Sequence, residues 1–495
     1  MKIAVVGSGV SGLAATWLLN EHSDHEVHLF EKDDRPGGHA NTVPFVPPAT
    51  PDRDPVEVDT GFIVFNPTTY PNFLRFLRRF GIPIVETEMT FSVSRDMGRF
   101  EWAGTNLVTV FAQPSNLLSI EMWRLIYDVL RFNACARKFL RESPSSAKQM
   151  SIGEFLLQGG YSASFKDNYL IPMTAAVWST PPDRCSDDFP ARTLIQFLNN
   201  HHLLQLIGKP NWLTVKGGSH TYVNKILSTL PTSQFHLSTS VSAVSTGPEF
   251  GSQVQLTLAN GSTHLFDHVI LACHSDTSLN ILRNGRGMTN EEANILSAFQ
   301  WNKNRAVLHA DTRLMPKRRL AWSSWNYLTK RTPEKANVNQ VSLTYWMNNL
   351  QHISEKKYGP VLVTLNPPFE PDERKTIDQY QYDHPVVSAE SVAAQKQIVN
   401  IQTKRGISYA GAYLAYGFHE DGFTSGLRVA QDHLNAKPPF PIQYPDRDPG
   451  PVWPARLFEL LELWGISKVL FLVLGIYLQF LRILMLPFSL VNSSP

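Results

Sequence analysis

Ile3-Ala4-Val5-Val6-Gly7-Ser8-Gly9-Val10-Ser11-Gly12 stands at the head of the chain and carries the pattern of a nucleotide-binding fold. An apolar run of strand character leads into a glycine turn, a helical stretch follows, and a second apolar run closes on Glu31. This order of strand, glycine turn, helix, strand and acid is what the adenosine half of a dinucleotide requires. Gly7 lets the chain turn out of the strand, Gly9 lets backbone approach a pyrophosphate, and Gly12 lets the helix pack closely on the strand. The phosphates then sit at a helix N-terminus, where unpaired N–H groups and the helix dipole favour anions. Glu31 is spaced to hold the ribose hydroxyls.

The residues behind Glu31 narrow the dinucleotide. Lys32-Asp33-Asp34-Arg35-Pro36-Gly37-Gly38-His39 forms a second glycine-rich turn, along which an extended flavin dinucleotide fits better than a nicotinamide one. Lys32, Arg35, Gly37 and Gly38 therefore join Gly7, Gly9, Gly12 and Glu31 as candidate cofactor contacts, with Arg35 facing phosphate. With these residues the chain resembles the flavin-containing amine oxidase superfamily, which implies FAD as cofactor. Tyr409-Ala410-Gly411-Ala412-Tyr413, followed by Gly417-Phe418-His419-Glu420-Asp421-Gly422 and Ser425-Gly426, looks like the closing FAD motif of that superfamily. The resemblance places Glu420 and Gly422 near the cofactor and Val241, in the run Leu237 to Val244, beside its adenine. No cysteine stands in the closing motif, so FAD is expected to be held non-covalently.

The run Asp59-Thr60-Gly61-Phe62-Ile63-Val64-Phe65-Asn66, with Gly37 to Thr42 and Trp322 to Tyr327, is similar to a branch of predicted NAD/FAD-binding proteins related to amine oxidases. The likeness covers about residues 1 to 435. It implies a flavoprotein acting on an apolar substrate, with modified fatty acyl chains as one class.

The fold expected is α/β: a doubly wound FAD-binding Rossmann-type domain, an inserted α+β substrate domain and a C-terminal apolar helix. The FAD domain is assembled from residues 1–66, 205–280 and 395–440, and the substrate domain from 67–204 and 281–394. Pro71 to Phe80 and Met122 to Leu140 have helical periodicity. Phe266 to His274, Arg305 to His309, Arg319 to Tyr327 and Gln340 to Asn348 read as strands, the last three suggesting an antiparallel roof over the flavin. On that roof Trp325, Asn326 and Trp346 are the candidate substrate contacts.

Catalytic side chains are harder to assign, because a flavin carries the chemistry and the protein positions, desolvates and tunes. The candidates are Arg305, His309, Tyr327 and Tyr345. Many amine oxidases have a lysine reaching the flavin from the segment comparable to Gln300–His309; here Arg305 fits that place better than Lys303, and a guanidinium cannot deprotonate. His309 with Asp311, and His274 with Asp276, read either as acid–base pairs or as strand-end hydrogen-bonding residues. His201-His202 has no ligand spacing for a metal, and none is expected.

The 495 residues suffice for two or three domains, and the net charge of +2 gives no electrostatic case for nucleic acid. Cys135, Cys185 and Cys273 are too few and too scattered for a disulfide framework, which points to a reducing compartment. No secretory signal is expected ahead of the first strand. After a proline-rich linker, residues 437–454, the tail 455–495 carries the apolar run Val469 to Leu486, interrupted by Gln479 and Arg482. A bilayer core of ~30 Å needs about twenty apolar residues as helix, so the tail reads as membrane-associated, spanning or interfacial, on the cytosolic face.

Three functions fit this sequence. The first is an FAD-dependent oxidoreductase acting on a C–H bond of a hydrophobic substrate at a membrane, with an amine oxidase of long-chain amines as a variant. The second is a double-bond isomerase with no net redox change. The third is an FAD-holding scaffold without turnover.

Overall fold

The computed structural model describes residues 1–142, 150–178, 189–205, 208–329, 342–445 and 447–491, with side chains described as far as Leu484. Cys185, the start of the Gln340 run and the last residues of the tail lie outside that set.

Ile3 to Val6 are almost wholly removed from solvent, and the strand they belong to, Lys2–Val6, lies at the centre of a five-stranded sheet. The order is Ile407–Tyr409, His268–Leu271, Lys2–Val6, Glu26–Phe30, Phe235–His236, and every pair is parallel. Parallel strands buried on both faces read as continuous apolar runs. Ile3 and Val5 face one core, around Leu13, Trp17 and Phe423, while Ala4 and Val6 face another, around Val244, Leu256 and Leu279. The second core is covered by an antiparallel three-stranded sheet, Val241–Ser245, Val254–Leu258 and Thr263–Phe266.

Phe266 to His274, expected as one strand, is divided at Asp267 between these two sheets. The Asp267 carboxylate accepts from the Lys2 amide at 2.7 Å and from Gln253 at 3.1 Å, pinning the crossing point. The strand at Val241 also begins later than Leu237, since Ser238 adopts a left-handed backbone with φ 51°.

A seven-stranded sheet forms the second layer, in the order Thr376–Pro385, Trp301–His309, Leu362–Leu365, Ser342–Trp346, Trp325–Leu328, Phe91–Arg95, Phe100–Ala103. Its pairs are antiparallel except Trp325–Leu328 with Phe91–Arg95. Arg319 to Ala321, expected as strand, is a short 3-10 turn, and the strand starts at Trp325. Helices Ile120–Glu142, Ile171–Trp178 and Ala191–Asn200 pack on this sheet through a third core that includes Phe132, Phe165, Trp178 and Phe197.

The tail is a helical hairpin, Trp453–Leu463 and Ile466–Val491. The Glu462 carboxylate accepts from the Tyr127 hydroxyl at 2.7 Å and from Arg131 at 3.3 Å, and Lys138 meets Glu459 at 2.6 Å. Phe471 lies edge-on to Tyr127, so one side of the hairpin is seated on the helix Ile120–Glu142. Val469, Leu472, Val473, Ile476, Phe480 and Ile483 on its other side are exposed. Among the described residues this is the one helix long and apolar enough to cross a membrane.

Candidate functional site

Three glycine-bearing segments converge at the C-terminal edge of the parallel sheet. Gly7 takes φ +104°, its N–H donating to Phe30 O at 2.8 Å, and the helix Val10–His22 starts from Gly9 with no side chain capping its first amides. A Cβ on Gly9 would meet nothing within 4 Å, whereas one on Gly12 would lie 1.9 Å from Gly7 O. Gly9 therefore borders open space and Gly12 is a close-packing position. The second turn folds over the first: Gly38, at φ +58°, would bring a Cβ to 3.2 Å from the Gly9 Cα. Arg35 donates to Gly38 O at 2.8 Å and braces that turn from within, while Lys32 is exposed beside it.

Glu31 is buried at the end of the second strand. One carboxylate oxygen accepts from Ser8 N at 2.8 Å and Ser8 Oγ at 2.6 Å, and the other from Asp33 N at 2.9 Å. The acid is thus locked to the first glycine turn. Thr239 N donates to Glu31 O at 2.6 Å, which brings the start of the Val241 strand alongside.

The third segment enters as the helix His419–Arg428, lying against Val10–His22 at glycine positions. A Cβ on Gly422 would stand 2.6 Å from Val10 Cγ1, and one on Gly426 only 2.1 Å from Ser11 O. The Glu420 side chain turns away from the glycine cradle. It accepts from the amides of Asn72 at 2.8 Å and Phe73 at 3.0 Å, capping the buried start of the helix Pro71–Arg79.

A glycine floor with open space above it, uncapped helix amides and a fixed buried acid fit the adenosine and pyrophosphate of a dinucleotide. A family model described as "Flavin containing amine oxidoreductase" matches residues 10–298, more than half of the chain. The chain belongs to the flavin containing amine oxidoreductase family. FAD is accordingly its cofactor and its class is FAD-dependent oxidoreductase. No curated protein matches the chain by sequence.

Solved structures of low identity share the fold of this flavin amine oxidoreductase. A CLA-producing fatty acid isomerase from P. acnes has a TM-score of 0.60 at 14% identity over 87% of this chain and 98% of its own. Putrescine oxidase bound to putrescine gives 0.60 at 16%, over 88% and 99%. Cyclohexylamine oxidase from Brevibacterium oxydans gives 0.58 at 14%, over 87% and 98%. These likenesses establish the doubly wound FAD-binding fold with its second, α+β layer.

Beside the second glycine turn, at His39, lies a cavity of about 150 Å³. It is bounded by His39 and Phe62 on the cofactor side, by Phe197 and His201 from the helical layer, and by Trp325 and Tyr345 from the seven-stranded sheet. Trp325 and Tyr345 are cross-strand partners, their rings 5.2 Å apart and perpendicular. None of the described lining residues is Asp, Glu, Lys or Arg.

Other sequence-predicted residues fall elsewhere. The Asn326 amide is consumed by its own sheet, accepting from Ser92 Oγ at 2.8 Å and Ser323 N at 2.9 Å and donating to the carbonyls of Ser323 and Thr344. Trp346 is on the face opposite Tyr345, edge-on to Trp322 and under the Arg319 guanidinium. Tyr327 belongs to the core of the second layer, outside the cavity lining. Arg305 reaches outward to pair with Glu370 at 2.6 Å.

His309 is buried, bonded to Thr364 Oγ1 at 2.7 Å and accepting from the Asp311 amide at 3.0 Å. The Asp311 carboxylate is occupied by Arg313 and the Asp372 amide, so this pair serves the strand end. His274 stacks on Trp301 at 3.8 Å. No group of three metal-binding side chains occurs among the described residues.

Four histidines, none of them expected as a substrate contact, are among the polar residues that line the cavity. His384 is pushed down to about 4, His201 and His419 to about 3, and His39 well below the usual imidazole range, all chiefly by burial. Each is neutral at pH 7. His419 stacks on Phe62 at 3.7 Å and bonds the Tyr222 hydroxyl at 2.8 Å. His39 follows Gly37-Gly38 directly and His419 precedes Glu420, so their adjacency to the cofactor motifs was the available signal.

Proposed function

We propose that this FAD-dependent oxidoreductase acts on a C–H bond of a hydrophobic, lipid-like substrate and does so at a membrane. The observation that carries the reading is the cavity: aromatic walls, neutral imidazoles and no charged side chain among the described lining residues, with His39, which follows the second glycine turn, in its wall. Such a site favours apolar surface and penalises an unpaired charge by several kcal/mol, of order ~2–7 for even a neutral polar group left unbonded. Bound FAD supplies hydride acceptance; the chain's own residues orient the substrate carbon and keep water out.

In this reading residues 1–66, 205–280 and 395–440 hold the cofactor and 67–204 with 281–394 form the substrate layer. Gly7, Gly9 and the Val10 helix amides take the pyrophosphate, Glu31 the ribose, and Trp325 and Tyr345 a wall of the substrate site. The exposed apolar side of the tail hairpin supports membrane seating: its second helix, twenty-six residues long, spans about 39 Å at ~1.5 Å per residue, enough for a bilayer core of ~30 Å.

The test is the absorption spectrum of the detergent-purified holoprotein, kept anaerobic, before and after a membrane lipid extract is added. Loss of the flavin band near ~450 nm supports net oxidation of a lipid. A flavin that stays oxidised while double-bond positions in the lipids shift points to isomerisation, and a flavin untouched alongside unchanged lipids sinks both.

A further inference from the structure

His201 is the one cavity histidine whose tautomer is fixed by its own helix. Its Nδ1 lies 3.1 Å from the carbonyl oxygen of Phe197, one turn earlier. A carbonyl only accepts, so the neutral ring must carry its proton on Nδ1, and Nε2 is left with a lone pair. The ring packs at a tilt against Phe197, centroids 3.9 Å apart, and against Phe418 at 5.0 Å. It forms part of the cavity wall, and no hydrogen bond to Nε2 occurs among the described residues. The other lining histidines with described bonds are engaged differently: His419 Nε2 meets the Tyr222 hydroxyl, and His384 Nδ1 meets the Asn304 amide at 3.2 Å.

An acceptor on the wall of an apolar cavity selects for a donor, because leaving it unpaired on ligand binding forfeits its hydration. The donor must also be uncharged, since no described lining side chain offers a counter-ion. We infer that His201 is a specificity-determining residue whose Nε2 accepts a hydrogen bond from a hydroxyl on the apolar substrate. This rests on the apolar-substrate reading above and narrows it to hydroxyl-bearing, uncharged molecules, with the hydroxyl placed at the wall formed by the helix Ala191–Asn200.

The probes are 1-decanol, its methyl ether and decylammonium, titrated into the FAD-loaded protein at pH 7 and followed by the shift of the flavin absorption band. Decanol and the ether share chain and oxygen, and only decanol donates. The wild-type protein is expected to bind decanol about fivefold to tenfold more tightly than the ether, the range a single net hydrogen bond provides. Decylammonium, a donor that brings a charge, binds more weakly than decanol.

In His201→Leu the preference for decanol over the ether falls to about one while ether binding is retained. In His201→Gln, which restores an acceptor, part of the preference returns. Equal binding of decanol and ether by the wild type, or a preference that survives His201→Leu, overturns the assignment of His201 alone. Tighter binding of decylammonium than of decanol overturns the uncharged donor. If none of the three moves the flavin band of the wild type, the apolar-substrate reading itself falls, and this inference with it.

Discussion

The Glu420 carboxyl group accepts hydrogen bonds from two successive backbone amides, those of Asn72 at 2.8 Å and Phe73 at 3.0 Å, 348 and 347 residues back in sequence. A residue of the helix His419–Arg428 thereby caps the helix Pro71–Arg79. Burial outweighs these amides and pushes Glu420 up to about 8, with the neighbouring Asp421 charge adding to the rise. Because the folded value lies above the ordinary 4.5, its stabilising contribution is full below that value and is lost as pH rises toward 8. Glu420→Gln removes the titration. The melting temperature of the wild type relative to this variant is expected to fall between pH 5 and pH 8, by an amount on the order of a few kcal/mol in stability. A difference that stays flat with pH, or grows, contradicts the assignment.

Gly9 and Gly12 separate cofactor binding from folding. At Gly9 the backbone is extended, φ −63° and ψ 174°, and a side chain meets only open space, so Gly9→Val should fold with a near-native melting temperature in the absence of FAD. It should nevertheless lose flavin, since the branched side chain fills the space a pyrophosphate needs. Gly12→Ala places a carbon 1.9 Å from Gly7 O and forces helix and strand apart, costing about 1–3 kcal/mol of overpacking with or without flavin. Flavin content and the melting curve of the cofactor-free proteins distinguish the two.

The glycine turns were legible because they are written in local backbone chemistry. Gly7, Gly37 and Gly38 each adopt positive φ, and Glu31 is anchored to Ser8 a short distance back in sequence. The strand alternation around Trp325 and Tyr345 was also readable, since period two separates Trp325 and Tyr345 on one face from Asn326 and Trp346 on the other. Which residues on those faces meet the cavity was not. That depends on what each face packs against: Asn326 is absorbed by Ser92 and Ser323, and Trp346 by Trp322 and Arg319. The histidines were illegible for a related reason. His201, His384 and His419 come together from distant segments, and their neutrality arises from apolar surroundings that no single stretch of sequence contains.

Tyr345 and Asn326 offer a matched contrast within one pair of strands. Tyr345→Ala opens the cavity wall and deprives Trp325 of its perpendicular partner, so turnover or probe binding should drop at least tenfold while flavin content holds. Asn326→Ala removes four hydrogen bonds inside the sheet and should cost about 2–4 kcal/mol of stability. Its effect on probe affinity, measured below its lowered melting temperature, should stay within about twofold. The reverse pattern would place the substrate on the other face of the sheet.

The two sides of the tail hairpin call for opposite outcomes. Its seated side holds Glu462 against Tyr127 and Arg131, and its outward side exposes Leu472, Ile476 and Phe480 to solvent. Leu472→Ser, Ile476→Ser and Phe480→Ser together leave the seat intact and remove three large apolar side chains. At roughly 1.5–3 kcal/mol for each side chain buried in lipid, they should shift the protein from vesicles to the supernatant on sedimentation, with flavin content unchanged. Glu462→Gln loosens the seat and lowers the melting temperature by an amount on the order of 1 kcal/mol, because this partly exposed pair is screened by solvent. It leaves the outward face, and therefore vesicle binding, as it was. Triple-serine protein that still sediments fully with vesicles would move the membrane contact away from this helix.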